Sequence, residues 1–509
     1  MNLDAAQALG LGRLRQPGHS TDHTGMPCGS PGLPDLSVGG PSLASTHRTT
    51  VNDMHSALNA TVVGGTIVVE SVPVLQHVVR SAAAADLRIS IAGGRHAMGG
   101  QQFGTGTILL DMTRLSRVLE MDSERGLVVV EAGIDWPRLV NHLLWVGAGQ
   151  PHQWGIIQKQ TGADRLTIGG ALAANIHGRG LRLRPFIDDV ESFDLVDHTG
   201  TLVTCNRSCN SELFALAIGG YGLFGVIARV TLRLARRHKL ERRVTMVAVE
   251  NLPELFERRI ADGFEYGDCQ FATDPESGEF LRAGVLSCYR PVADDRVIPD
   301  DQRSLTVADW QRLLHLAHVN RSRAFADYAR YYMSTDGQLY WSDTHQLANY
   351  IDGYHAEIDR ATGAAVKGSE MISELYVRRP DLPAFMATVR DDARLNDVNI
   401  IYGTIRLIER DDESVLAWAR ESWACVVFNL HVDHSPAGIE KAQRDFRRLI
   451  DRAADFGGSY YLTYHRWATR AQVERCHPRM HEFLDLKQTC DPRGVFTSDW
   501  YEHHLKLMA

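Results

Sequence analysis

Two glycine-rich stretches hold the residues of this 509-residue chain best placed for chemistry: Ala92–Gln102 (AGGRHAMGGQQ) and Thr161–Gly180 (TGADRLTIGGALAANIHGRG). Paired glycines remove side chains, so backbone N–H groups can approach a ligand closely. Several such groups make an anion cradle that needs no lysine. A diphosphate bridge fits that chemistry, and tight turns without a ligand are the plain alternative. A third set, Gly220, Gly222 and Gly225 in GGYGLFG, satisfies G-x-G-x-x-G. That motif holds a dinucleotide only when a strand precedes the loop and a helix follows it. Here SELFALAI, before the loop, has helical spacing, and VIARVTLRLA, after it, alternates like a strand. The Rossmann reading is therefore rejected.

Arg406 lies in IIYGTIRLIE. Period-2 alternation puts Tyr402, Thr404 and Arg406 on one strand face and Gly403, Ile405 and Leu407 on the other. A polar stripe of this kind lines a cavity, unless Arg406 is only half of an ion pair. Three histidine groupings invite a metal: His431 with His434, Cys476 and His477 with His481, and His503 with His504. None offers four ligands at zinc spacing, so no metal is expected.

The elements that must position these residues can be read from periodicity. Strands are predicted at Thr66–Glu70, Leu87–Ile91, Thr107–Asp111, Gly126–Ala132 and Ile187–Asp197, with helices at Val72–Ala85 and from Trp136 to about Val146. Beyond residue 235, strands are predicted at Arg242–Glu250 and Glu279–Tyr289. A helical, aromatic stretch runs from about Val307 to Ile358. Strands return at Glu370–Val377, Ile400–Glu409 and Ala424–His431, followed by a long amphipathic helix at Ala437–Phe456 and another near Arg470–Thr489. The fold class is α+β, and no internal repeat is visible.

A chain this long exceeds one compact core. Residues 1–50, rich in Gly, Pro, Ser and Thr, are expected to be a flexible extension. The net charge of -8 comes from interspersed acids and bases, with no basic stripe for nucleic acid. No apolar run is long enough for a membrane span, and the N-terminus lacks a secretory-signal pattern. Eight scattered cysteines fit buried thiols in a reducing cytoplasm. Oligomeric state is not legible.

Taken together, RISIAGGRHAMGGQ, LTIGGALAANIHGRG and FALAIGGYGLFGVIARVTL occur in an order and spacing that resembles the FAD-binding domain of the vanillyl-alcohol-oxidase type, the fold named after p-cresol methylhydroxylase (PCMH). The tail DPRGVFTSDWY resembles the segment that returns to the flavin in that family. GSEMISELYV and GGSYYLTYHRWATR look most like decaprenylphosphoryl-ribose oxidases, with alditol and aldonolactone oxidases also near. The resemblance implies a two-subdomain PCMH-type FAD-binding domain at 51–235. A substrate (cap) domain with an antiparallel sheet flanked by helices would follow at 236–465, and a returning C-terminal segment at 466–509.

The same resemblance implies FAD as cofactor, covalently linked through His96, which stands where covalent members attach the flavin. The second loop has no Cys, so a second link is not expected. Gly93, Gly94, Arg95, His96, Ala97, Met98, Gly162, Thr167, Gly169, Gly170, Asn175, His177 and Gly178 match the family's pyrophosphate and isoalloxazine contacts. Gly225 and Ile227 match its adenine contacts. The implied reaction is oxidation of a CH–OH group on a small polar alcohol (a sugar, polyol or glycoside), by hydride transfer to flavin N5. O2 or another acceptor would re-oxidise the flavin. Such chemistry needs a proton acceptor and a cation near the flavin. Arg406 is expected as the cation and His465, aligned with a catalytic lysine of the ribose-oxidising relatives, as the proton acceptor. Alditol oxidases carry Glu two residues before that arginine, where this chain has Thr404. Glu374, Tyr402, Trp341, Tyr464 and His431 are further pocket candidates. A C=C reductase or desaturase, or a non-catalytic flavin-binding protein, are the alternatives.

Overall fold

A computed structural model describes residues 47–348, 351 and 353–509. All but the last few residues of the expected N-terminal extension lie outside them. The first strand, Thr49–Val51, pairs antiparallel with Thr61–Val63.

The architecture is α+β. A three-stranded parallel sheet places Ile108–Asp111 between Gly65–Val68 and Ile89–Ala92. A five-stranded antiparallel sheet runs Leu202–Asn206, Val190–Val196, Val226–Arg233, Leu127–Glu131, Val118–Asp122. The helix Val72–Ala84 buries Leu75, Val78, Val79 and Ala82 and is started by Ser71, whose side chain accepts from Val74 N–H. That contact satisfies one of the N–H groups every helix start leaves open. Asp135 caps the helix Trp136–Gly147 in the same way, with a proline in its first turn.

An eight-stranded antiparallel sheet forms the second half, in the order Leu339–Trp341, Lys239–Ala248, Ala283–Val292, Tyr266–Phe271, Ile400–Ile408, Trp423–Asp433, Gly368–Arg378, Ser459–Tyr460. The helix Pro436–Asp455 lays Ala442, Phe446, Leu449, Ile450 and Ala453 against it. The strand Ile400–Ile408 is buried along almost its whole length and shifts register between Ile400 and Tyr402. Gly403 faces the core because a Cβ there would meet the Phe271 ring at 2.1 Å.

The expected helical stretch from 307 to 358 is instead two helices, Val307–Val319 and Arg321–Met333, then the edge strand Leu339–Trp341 and the start of a third helix, Tyr354–Thr362. Asn320 ends the first helix and caps the second through its side chain. Likewise the helix expected over 470–489 breaks into Arg470–Cys476 and Met480–Cys490, because Pro478 disfavours helical geometry at His477. The glycine set 220–225 lies between the helix Ser211–Ala217 and the strand Val226–Arg233, the reverse of a Rossmann turn. The tail returns to the parallel sheet: Ile89 N–H donates to Val495 O (2.7 Å), and Thr497 N–H to Ile89 O (2.9 Å). Among the described residues, six cysteines are free thiols, five of them buried. No helix is long and apolar enough to cross a membrane.

Candidate active site

A cavity of about 750 Å³ runs from the two glycine loops to the face of the eight-stranded sheet. Its size suits an organic ligand. Gly93 through Met98, Gly162, Thr167, Gly169, Gly170, His177, Gly225 and Ile227 all line it, as do Glu374, Tyr402 and Arg406.

The first loop follows the strand Ile89–Ala92 directly. Gly93 must be glycine, since a Cβ there would meet Thr167 Oγ1 at 2.1 Å; the two loops touch at that point. Arg95 takes the left-handed conformation (φ 59°), the geometry that turns successive N–H groups toward one point. Among the described residues, the N–H groups of Gly93 to Ala97 have no backbone acceptor. Unsatisfied donors at a cavity wall are expensive unless a ligand completes them. The residues present therefore fit the diphosphate of FAD.

His96 lies at the wall with Nδ1 2.9 Å from His55 Nε2. Burial, aided by His55, lowers its pKa to about 3. The imidazole is thus neutral at ordinary pH.

Glu374 is the centre of the polar network. It comes from the strand Gly368–Arg378 and is 3% exposed. His177 Nε2 lies 2.6 Å from its Oε1. Tyr376 OH donates to the same oxygen (2.6 Å), Cys425 Sγ at 3.3 Å, and Tyr464 OH donates to Oε2 (3.0 Å). Burial alone would raise the carboxyl pKa, but His177, Tyr376 and Arg406 outweigh it and hold it at about 2. His177 Nδ1 faces the Gly178 carbonyl at 3.0 Å, so that nitrogen carries a hydrogen and the Nε2–Oε1 contact shares a single proton. The ligand atoms of His177, Glu374 and Cys425 lie within 4.8 Å of one another. Two ligands of one tetrahedral zinc ion sit about 3.3 Å apart, so the 2.6 Å His177–Glu374 contact is a hydrogen bond rather than shared coordination.

Arg406, 8% exposed, has a buried Nε without a hydrogen-bond partner among the described residues. No carboxylate pairs with it there, so the ion-pair alternative is not what the structure holds. Thr404 turns aside to donate to Asp268 Oδ2 (3.3 Å).

Other expected residues lie elsewhere. His465 does not line the cavity; it is 4% exposed and stacks on Trp467 at 4.2 Å. Its neighbour Tyr464 faces the cavity instead. Asn175 is fully buried as a left-handed helix cap. It donates to Asp411 (2.9 Å) and accepts from Ile187 N–H (2.9 Å), so it shapes the second loop from behind. Gly178 lies off the wall as well; a Cβ there would meet Lys159 O at 2.8 Å. Trp341 packs under Arg237 (3.9 Å) and His431 sits beside Asp433 (3.3 Å), both away from the cavity. Sequence reasoning missed Glu370, Asn429, Arg179 and Asp268, all on the wall. Strand alternation from Glu374 back to Glu370 carried a signal for the first.

Residues 63–206 match the model of the FAD binding domain family. An uncharacterized oxidoreductase from the fasciation locus of Rhodococcoides fascians is 32% identical over 34% of this chain and 38% of its own length. Decaprenylphosphoryl-beta-D-ribose oxidase of Mycolicibacterium smegmatis is 24% identical over 77% of this chain and 84% of its own. L-gulono-1,4-lactone dehydrogenase of Mycobacterium tuberculosis is 23% identical over 84% and 92%. With the cradle, the reversed glycine turn and the returning tail in place, these matches identify an FAD binding domain at residues 63–206 in a chain that is similar over most of its length to named oxidoreductases.

Proposed function

We propose that this enzyme oxidises a CH–OH group on a sugar, polyol or glycoside-like substrate. The observation that carries this reading is the Glu374 network set beside Arg406, whose Nε has no hydrogen-bond partner among the described residues, in the cavity that the glycine loops border. Two relatives that match most of the chain are named for a ribose derivative and an aldonolactone. FAD held along Gly93–Met98, Gly162–Ala163 and Gly169–Gly170 supplies the acceptor for a hydride from the carbinol carbon.

The chain's own residues then have three tasks. Tyr464 places its hydroxyl at the cavity wall and donates to Glu374 (3.0 Å), so its oxygen can accept the substrate hydroxyl hydrogen. Glu374 and His177, which share one proton across 2.6 Å, stand behind Tyr464 and orient its hydroxyl; a positioned acid–base group contributes ~10²–10⁴-fold in rate. Arg406 brings a fixed positive charge to a water-poor site, where negative charge that develops during reaction is strongly stabilised. Tyr402 forms part of the adjoining wall. His96, neutral and held by His55, would be the point of covalent attachment. O2 or another acceptor completes the cycle.

The test uses purified holoprotein, with a peroxide assay in air and anaerobic flavin bleaching across a panel of sugars, polyols and glycosides. Bleaching by at least one donor is expected. Bound FAD that no alcohol on the panel reduces would refute the proposal, and bleaching reversed by an unsaturated acceptor would favour C=C chemistry.

A further inference from the structure

Glu370 lies four residues before Glu374 on the same strand and the same face. Both side chains line the cavity, and Ile372 lies between them. Glu370 is 4% exposed and belongs to a second polar group that the proposed chemistry does not use. Asn429, on the paired strand, donates from Nδ2 to Glu370 Oε2. His318 Nε2, from the helix Val307–Val319, stands 3.1 Å from Glu370 Oε1. His318 and Tyr354 both hold the Glu370 carboxylate. Among the described residues, Asn429 Oδ1 and Arg321 Nε are buried without a hydrogen-bond partner, and Asn429 and Arg321 line the same wall.

We propose that Glu370, Asn429 and Arg321 form a distal subsite for the hydroxyl groups of an elongated, disaccharide-sized donor whose other end reacts beside Glu374. This inference rests on the alcohol-oxidation reading and adds the length of the substrate to it. Four residues of strand set the backbone positions of Glu370 and Glu374 about 13 Å apart. A single sugar ring held at Glu374 does not reach that far, whereas two linked rings do. Glu370 is paired with His318, and the Arg321 charge is opposed by Asp274 and Asp397, so the charges are balanced, and buried groups with open donor and acceptor positions suit neutral hydroxyls. Such contacts act alike on bound substrate and transition state, so they set KM more than kcat.

The experiment compares matched donors: sorbitol with maltitol, and methyl glucoside with methyl maltoside. Steady-state kinetics are read alongside Kd from the flavin absorbance change on anaerobic mixing. In the natural protein, the longer member of a reactive pair should have KM and Kd at least tenfold lower. E370Q and N429A, at full FAD content, should collapse that ratio toward one, mainly through KM. Turnover with no length preference, or equal losses on both members of a pair, would overturn the subsite while leaving alcohol oxidation standing. Failure of every donor to reduce or perturb the flavin would overturn both readings.

Discussion

His177 Nε2 lies 2.6 Å from Glu374 Oε1, a contact that ties the second glycine loop to the eight-stranded sheet across the cavity. Loop and strand are 197 residues apart in the chain. Only the closed arrangement of the two halves creates the shared proton on which the proposed chemistry depends.

Glu374→Gln keeps the shape but removes the charge that His177, Tyr376 and Tyr464 surround. Anaerobic flavin reduction should slow by ~10²–10⁴-fold while FAD content is retained, since the diphosphate cradle lies in the other half. Stopped-flow absorbance of the flavin reads this directly. A reduction rate within threefold of the natural protein would remove Glu374 from the proton path.

Tyr464 and His465 are neighbours of which one lines the cavity and the other does not. Tyr464→Phe deletes the hydroxyl that meets Glu374 Oε2 at 3.0 Å and should slow flavin reduction at least tenfold. His465→Ala removes a ring stacked on Trp467 (4.2 Å) outside the cavity. Its effect should fall on thermal stability, with reduction kinetics little changed. The opposite pattern would restore His465 as the acceptor.

His96 should carry a covalent flavin. Burial leaves its imidazole neutral, with a pKa near 3, and a neutral ring nitrogen is the nucleophilic form. Denatured protein should show flavin fluorescence on the polypeptide band, and digestion should yield a yellow peptide containing His96. His96→Ala should abolish that signal and leave FAD held by the cradle alone. Complete release of FAD from the natural protein by acid precipitation would count against the link.

Much of this site was legible before the structure, and the reason is local. The cradle is built from contiguous glycines whose function is backbone approach, so Gly93, Gly169 and their neighbours could be placed from spacing. The Tyr402–Arg406 stripe follows from strand alternation, which survives in any sheet. Other features depend on long-range partners. Thr404 is drawn aside by Asp268, which lies 136 residues away. Asn175 matched a cofactor contact by position, yet its side chain bonds Asp411, 236 residues later. His465 sits in an irregular turn, where no period fixes which side chain faces the cavity. The merged helices 307–358 and 470–489 failed because apolar periodicity continues through Asn320 and past Pro478, while backbone geometry does not.

Acid should destabilise the fold well before the carboxylates protonate. Burial holds His477 and His504 near pKa 3 and His465 near 4, whereas an unfolded chain binds those protons near 6.5. Each therefore contributes stability in full above pH 6.5 and loses it as pH falls through 6.5 toward the folded value, with a limiting slope of about 1.4 kcal/mol per pH unit. Glu374 behaves as a depressed carboxylate. Its contribution is present above about pH 4.3 and is lost as pH falls toward its folded value of about 2, so it adds nothing to the slope between pH 6 and 5. In that window the decline belongs to the buried histidines. His504 donates from Nδ1 to Trp500 O at 2.8 Å, a bond that an asparagine amide can keep. His504→Asn should then flatten the urea midpoint against pH between 6 and 5 by close to one proton. The comparison is one of slopes, so a lower starting stability of the variant does not disturb it. Parallel profiles for variant and natural protein would show that His504 takes up its proton in the folded state.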